Sequence, residues 1–319
     1  MNLRFTQESD FRQQRDFGQK ISATFAFIGA HWRGLGRALL YIVLPAALLQ
    51  GIANGLMQKQ MLTNGMGASK AGGQAAMVAS LAKFGNLFNS PLYWVNATVS
   101  IVFLTLLILT VYGYVVKCLR ATPSGEPIGV GEVWAVVRAQ FLSSFLSYFG
   151  LSIMVVLGFV FLVIPGIYLL VGLSLFYVIK IVEGTGFSTT VSRSLRLVRG
   201  KWWATVGLLF IMAMMVVISL TVIGGFIGGI IGGIGGGMGL YHPGTGGSDV
   251  ELFTVIISSI TGLFNLLIYP PLLIALAFQY FNLVERHEGV GLHNLVNQLG
   301  QTPATAQTAT YRAEDEGEY

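Results

Sequence analysis

Residues 141–181 read FLSSFLSYFGLSIMVVLGFVFLVIPGIYLLVGLSLFYVIKI, and Lys180 is the only charged residue among them. A continuous helix of this length would measure roughly 60 Å at 1.5 Å per residue, about twice the hydrocarbon thickness of a bilayer. Near the middle, Pro165 removes a backbone donor and Gly166 permits a turn that other residues make less easily. The stretch therefore predicts a tight transmembrane hairpin that turns at Pro165 and Gly166. The alternative is one very long kinked helix.

The composition of the whole chain is that of a membrane protein. Of its 319 residues, 54% are hydrophobic and 10% are charged, and the mean hydropathy is +0.69. An ordinary soluble domain is about a quarter charged, so this chain cannot cover itself with polar surface. We expect an all-α, polytopic transmembrane bundle that forms a single integral membrane domain over residues 1–298. A disordered, acidic tail over residues 299–319 would follow it.

Apolar runs with few charges predict six membrane spans. The spans lie near residues 37–57, 92–116, 142–164, 167–182, 203–230 and 252–283. Of the 19 lysines and arginines, only Lys59, Lys70 and Lys83 fall in segments that would lie outside the cell. The positive-inside rule therefore predicts that both termini are cytoplasmic.

A similar pattern of residues precedes three of the spans. Segments 21–32, 130–141 and 191–202 each carry large apolar residues at successive offsets of four, three and four. These offsets define one helical face, so each segment predicts an amphipathic helix on the cytoplasmic membrane surface. One interpretation is three repeats of a surface helix followed by a transmembrane hairpin. The other is chance similarity among juxtamembrane helices.

Span five leads into a glycine-rich segment, GGFIGGIIGGIGGGMG, at residues 224–239. One column with a spacing of four consists of Gly224, Gly228, Gly232 and Gly236. Small residues at this spacing allow close helix packing in lipid, either within the chain or between copies of it. The alternative is a flexible extension, because each interior glycine costs a helix about 1 kcal/mol relative to alanine.

A basic segment lies directly before span five. Its cations are Arg193, Arg196, Arg199 and Lys201. The spacing of three keeps the arginines on a contiguous helical surface, which suits an anionic lipid headgroup. The alternative is a positive-inside anchor followed by tryptophans at the membrane interface.

Two further features occur at the ends and in the interior of spans. Pro270 and Pro271 interrupt the hydrogen-bond ladder of span six, which predicts either a hinge beside a cavity or a purely structural kink. Lys180 and Glu183, three residues apart at the end of span four, predict a local ion pair or a lysine that reaches the interface. No acidic residue lies deep in a predicted span, which argues against a proton- or sodium-coupled transporter.

Motifs for chemistry are weak in this sequence. Cys118 is the only cysteine, which excludes an intramolecular disulfide and a thiolate metal cluster. The four histidines lack the spacing of a zinc protease, and no nucleophilic-serine motif occurs. We therefore expect no enzymatic activity, no metal and no cofactor. The net charge of +5 comes without a nucleic-acid-binding motif, so anionic phospholipid is the expected partner and nucleic acid is not.

Segment 164–203 resembles a known family of membrane domains. It has the order Ile164-Pro165-Gly166-Ile167-Tyr168-Leu169, Glu183-Gly184, Arg193-Ser194 and Gly200-Lys201-Trp202-Trp203. This pattern is similar to the glycerophosphoryl diester phosphodiesterase membrane-domain family and to related uncharacterised bacterial membrane proteins. The resemblance implies a six-span protein of the bacterial inner membrane. It does not carry phosphodiesterase catalysis, because the family's catalytic barrel is a separate domain that this chain does not contain. Some members place an arginine a few residues after the tyrosine, where this chain has Gly172.

Two functions are consistent with these features. The first is a non-enzymatic membrane protein that binds lipid, or scaffolds a partner, through its cytoplasmic helices. The alternative is a transporter or channel for a small solute or lipid, with its path beside the glycine columns and the two prolines. A second copy of the chain or another membrane protein is the expected protein partner.

Overall fold

The chain is helical throughout the part that the structure describes. A computed structural model describes residues 5, 8–66, 88–120, 128–237 and 248–289, and these contain no β-strand. The elements are α1 (Glu8–Phe11), α2 (Phe17–Ala38), a π-turn (Leu39–Val43), α3 (Leu44–Met66), α4 (Pro91–Arg120), α5 (Val130–Phe161), α6 (Val163–Gly172), α7 (Phe176–Glu183), α8 (Phe187–Val198), α9 (Trp202–Gly237) and α10 (Ser248–Glu288). The all-α prediction is confirmed. The predicted acidic tail, 299–319, lies outside the described residues.

Six helical segments are long and apolar enough to cross a membrane, as the sequence predicts. They are Phe17–Gln60, Pro91–Arg120, Val130–Phe161, Val163–Glu183, Trp202–Phe226 and Val255–Glu288. The first and third begin well before the predicted residues 37 and 142.

Those early starts arise because two of the three predicted surface helices are continuous with their spans. Segment 21–32 lies in α2, which continues through the π-turn into α3, and segment 130–141 lies in α5. Neither junction contains a proline to end the helix. The π-turn ends two residues before Pro45, whose missing N–H leaves the carbonyl of Tyr41, inside the π-turn, without its usual partner. Only the third surface helix, α8, is separate, and it ends before Gly200, which has a φ of 97°. The three predicted units therefore differ in structure.

The predicted hairpin exists, but its turn lies at Leu162 and not at Pro165 and Gly166. Leu162 has extended backbone angles (φ −164°, ψ 148°) between α5 and α6. Pro165 lies in the first turn of α6, where a helix tolerates proline because the first N–H groups have no intrahelical partner. Gly166 serves close packing instead, since a Cβ on Gly158 of α5 would lie 3.1 Å from its Cα.

The closest helix packing in the described chain joins α3 to α10. A Cβ added at Gly51 would lie 2.5 Å from the Cα of Ser259, and one at Gly55 would lie 2.6 Å from the Cα of Val255. Gly262 faces Gly51 in return, with 3.1 Å between its added Cβ and the Cα of Gly51. Small residues thus bring the two backbones together, as in other membrane helix pairs. Among the described elements this is the largest helix–helix interface.

The predicted glycine column does not form a comparable contact at its first position. A Cβ added at Gly224 would meet no atom of the described residues within 4 Å. The surroundings of Gly228, Gly232 and Gly236 lie outside what the structure describes. The segment is nevertheless helical as far as Gly237, which differs from the flexible extension that the sequence left open.

Pro270 and Pro271 lie inside α10, which is helical from Ser248 to Glu288. The predicted interruption at these prolines is therefore not seen as a break in the helix. Pro270 is buried and Pro271 is half-buried.

The helices divide into a central group and a peripheral group. In the most apolar window of α4, 61% of the residues are buried, whereas the figure is 17% in both α5 and α9. Exposed side chains of α9 include Phe210, Val217 and Phe226. A soluble protein would not leave such a surface to water, so α5 and α9 have the faces expected of lipid-exposed spans.

Candidate functional site at the charged end of the bundle

Most described ionic contacts lie at one end of the bundle, which we name the charged end. There α2 begins, α4 ends, α5 begins and both α7 and α10 end. Lys117 at the end of α4 pairs with Glu132 at the start of α5, with 3.4 Å between Nζ and Oε2. This is the end that the sequence predicts to be cytoplasmic.

Arg193 of α8 joins three helices at the charged end. Its Nε donates to both carboxylate oxygens of Glu183 at 3.1 Å, and its guanidinium also pairs with Glu288. The hydroxyl of Tyr280 donates to Glu183 at 2.9 Å. The hydrogen bond with Glu288, followed by that with Glu183, raises the pKa of Arg193 above its ordinary value although burial opposes the shift. Arg193 therefore stays charged and holds α8 against the ends of α7 and α10.

A second contact fixes α8 to the fourth span. The hydroxyl of Ser194 donates to the carbonyl of Gly172 at 2.6 Å, and Leu195 lies where a side chain at Gly172 would be. Gly172 is the last residue of α6, and the turn at residues 173–175 separates α6 from α7. The fourth span is thus two short helices, and α8 satisfies a carbonyl that the break leaves without an intrahelical partner.

The predicted headgroup site is divided by this arrangement. Arg193 points into the bundle, whereas Arg196, Arg199 and Lys201 are exposed. Residues three apart drift by about 60° around a helix, so Arg193 and Arg199 already lie on different sides. Arg199 also leaves the helical conformation, with a ψ of 119°. Three of the four predicted cations therefore remain on the surface.

The predicted ion pair between Lys180 and Glu183 is wrong. Glu183 is bound to Arg193 and Tyr280. The Nζ of Lys180 instead donates to the hydroxyl of Ser147 at 2.6 Å and to the carbonyl of Ser143 at 3.0 Å. Lys180 is only 4% exposed, so it does not reach the interface either.

Another lysine of the charged end is buried in a chain of polar contacts. The Nζ of Lys20 donates to Oε1 of Gln279 at 2.7 Å, and Nε2 of Gln279 donates to the hydroxyl of Thr205 at 2.9 Å. These contacts join α2, α10 and α9. No local sequence pattern indicates these contacts, because the three residues lie far apart in the sequence.

The single cysteine lies beside a histidine in the interior. Cys118 is 2% exposed, and its sulfur lies 4.0 Å from Nδ1 of His31. The hydroxyl of Tyr114 lies 3.4 Å from the same nitrogen. Within the described residues no three histidine, cysteine, aspartate or glutamate side chains group as metal ligands.

Comparison with known proteins gives no match: no protein-family model, no curated protein and no solved structure resembles this chain. The family resemblance of segment 164–203 therefore remains a prediction.

Proposed function

We propose that this protein is a non-enzymatic, multi-pass protein of a bacterial inner membrane that binds anionic lipid headgroups at its charged end, with both termini in the cytoplasm. The observation that carries the proposal is the exposed basic junction between α8 and α9, which consists of Arg196, Arg199 and Lys201. Trp203, the second residue of α9, is 78% exposed. Tryptophan favours the level of the lipid headgroups, so the cations beside it lie within reach of lipid phosphates.

The contacts of Arg193 and Ser194 support this role. They fix α8 to α6, α7 and α10, so the basic junction is held in place before lipid arrives. A fixed site loses less conformational entropy on binding than a mobile one. The same fixed surface suits a scaffold for a second copy or for another membrane protein.

The test compares two variants with the same change in charge. One replaces Arg196, Arg199 and Lys201 with glutamine, and the control replaces exposed cations elsewhere at the charged end. The control cations are Arg33, Arg37 and Arg138. Each cation near an anionic surface contributes about 1 kcal/mol, so we expect the first variant to lose at least tenfold in affinity for phosphatidylglycerol over phosphatidylcholine.

Native mass spectrometry of the purified protein measures this preference. The control variant should keep most of the preference for phosphatidylglycerol. An equal loss in both variants would mean that net charge, and not the basic junction, attracts the lipid. No loss in the first variant would end the headgroup proposal.

A transporter or channel remains the second proposal, supported by the interrupted fourth span. Spans made of two short helices occur at the binding sites of transporters, and the turn at residues 173–175 places such a break in this bundle. The experiment is a scrambling assay with a fluorescent phosphatidylglycerol in reconstituted vesicles. Faster exchange between leaflets than in protein-free vesicles would favour a lipid transporter, and an unchanged rate would count against one.

A further inference from the structure

Lys180 is a buried cation without a described counter-ion. It lies one turn before the end of α7, and both of its hydrogen bonds within the described residues go to neutral oxygens of α5. Its ammonium also lies 5.7 Å from the ring centroid of Phe176. In the part of the chain that the structure describes, no carboxylate pairs with it, since Glu183 is bound to Arg193 and Tyr280. A charge removed from water is costly unless an opposite charge accompanies it.

A second polar group on the same stretch of α5 also has no described partner. The hydroxyl of Ser144 is fully buried and makes no hydrogen bond to any described residue. Ser144 precedes Ser147 by three residues, so these two buried side chains share a face of α5. A buried hydroxyl without a partner loses its hydration and gains nothing in exchange. The cation and the hydroxyl thus lack the same thing, which is an acceptor oxygen with negative charge.

The geometry suits a ligand with two oxygens. Side chains three residues apart on a helix lie about 5–6 Å from each other, and Lys180 bonds directly to Ser147. The hydroxyl of Ser144 therefore lies one helical turn from the serine that Lys180 binds, on the same face of α5. The side chain of Ser143, the residue before Ser144, is exposed, so the buried Ser144 lies close to the surface of the bundle.

We propose that Lys180, Ser144 and Ser147 bind a singly charged oxyanion between α5 and α7. One buried ammonium balances one negative charge, and both a carboxylate and a phosphodiester offer two oxygens that share such a charge. The anion therefore belongs either to a small soluble acid or to a phospholipid. This site is separate from the exposed junction at residues 196–201 and does not depend on it.

The experiment measures thermal unfolding of the purified full-length protein in a neutral detergent. The soluble probe is sodium acetate, with sodium chloride at the same ionic strength as its reference. The lipid probe is dioctanoyl phosphatidylglycerol, with dioctanoylglycerol, which has no phosphodiester, as its reference. We expect one probe to raise the unfolding midpoint by at least about 3 °C above its reference, because a ligand that binds only the folded state stabilises it. The probe that does so identifies the source of the anion.

Two variants tie the effect to the site. Lys180→Met should unfold at or above the midpoint of the unliganded parent, since it removes an uncompensated charge, and it should lose the probe-dependent rise. Ser144→Ala should keep the parent midpoint without probe, because its hydroxyl has no partner to lose, and should respond less to the probe. It keeps the test decisive if Lys180→Met does not fold.

Three results would overturn the proposal. They are no rise with either probe, an equal rise with chloride and acetate, and a rise that persists in both variants. The glutamine variant at Arg196, Arg199 and Lys201 should keep the rise. Loss of the phosphatidylglycerol preference in the glutamine variant therefore reports on the exposed basic junction. Loss of the rise in unfolding midpoint in Lys180→Met reports on the buried site.

Discussion

The contact between α3 and α10 predicts opposite effects for the same substitution at two glycines. In Gly51→Ala the new methyl group would lie 2.5 Å from the Cα of Ser259 and 3.0 Å from the carbonyl oxygen of Ser258. Both are backbone atoms, so no side chain can rotate away and the helices must separate by about 1 Å to reach ordinary contact. In Gly224→Ala the methyl group would meet nothing within 4 Å among the residues that the structure describes.

The magnitudes follow from these two environments. Overpacking costs about 1–3 kcal/mol, and the rigid neighbours of Gly51 place it near the upper value. Alanine recovers about 1 kcal/mol in a helix relative to glycine. We therefore expect Gly51→Ala to lower the free energy of unfolding by about 2 kcal/mol and Gly224→Ala to raise it by about 0.5–1 kcal/mol.

Reversible unfolding in mixed micelles measures both differences. Size-exclusion chromatography with light scattering, run on the same samples, reports the oligomeric state. A greater loss of stability in Gly224→Ala than in Gly51→Ala would contradict the close packing of Gly51 against α10. If the loss came with dissociation of an oligomer, the glycine column would be an interface between copies.

Three further predictions concern single side chains. A double-mutant cycle of Arg193→Ala with Glu288→Ala should give a coupling of about 1 kcal/mol, because this pair is only partly buried, and additive effects would contradict the contact. Cys118 should react with a maleimide only after denaturation, since it is 2% exposed, and rapid labelling of the folded protein would contradict its burial. Pro165→Ala should change the free energy of unfolding by less than about 1 kcal/mol, because proline is tolerated in the first turn of a helix. A larger loss, with reduced helicity by circular dichroism, would place the turn back at Pro165.

The features that depend on local sequence were predictable. Span number follows from the lengths of apolar runs, and the hairpin follows from an apolar stretch too long for one crossing. The position of its turn was missed because proline marks both a turn and the start of a helix. Only the conformation of Leu162 distinguishes the two.

The features that depend on which helices meet were not predictable in the same way. Gly51 and Gly55 have the same spacing of four residues from which close packing was predicted at Gly224. The spacing alone does not indicate which helix packs against it. The bond between Lys20 and Gln279 joins residues 259 positions apart, and neither has a local pattern. For Lys180, the neighbouring Glu183 suggested an ion pair, but a distant arginine binds that carboxylate instead.

The pairing of α3 with α10 has a consequence for the order of synthesis. The first span leaves the ribosome long before the sixth, so the face that contains Gly51 and Gly55 has no partner while the four spans between them are made. In lipid, an unpaired face of small residues can pack closely against another helix that also carries small residues. The glycine face of α3 is therefore covered only when α10 inserts. A chain that stops before residue 248 would leave this face exposed to helices of other membrane proteins.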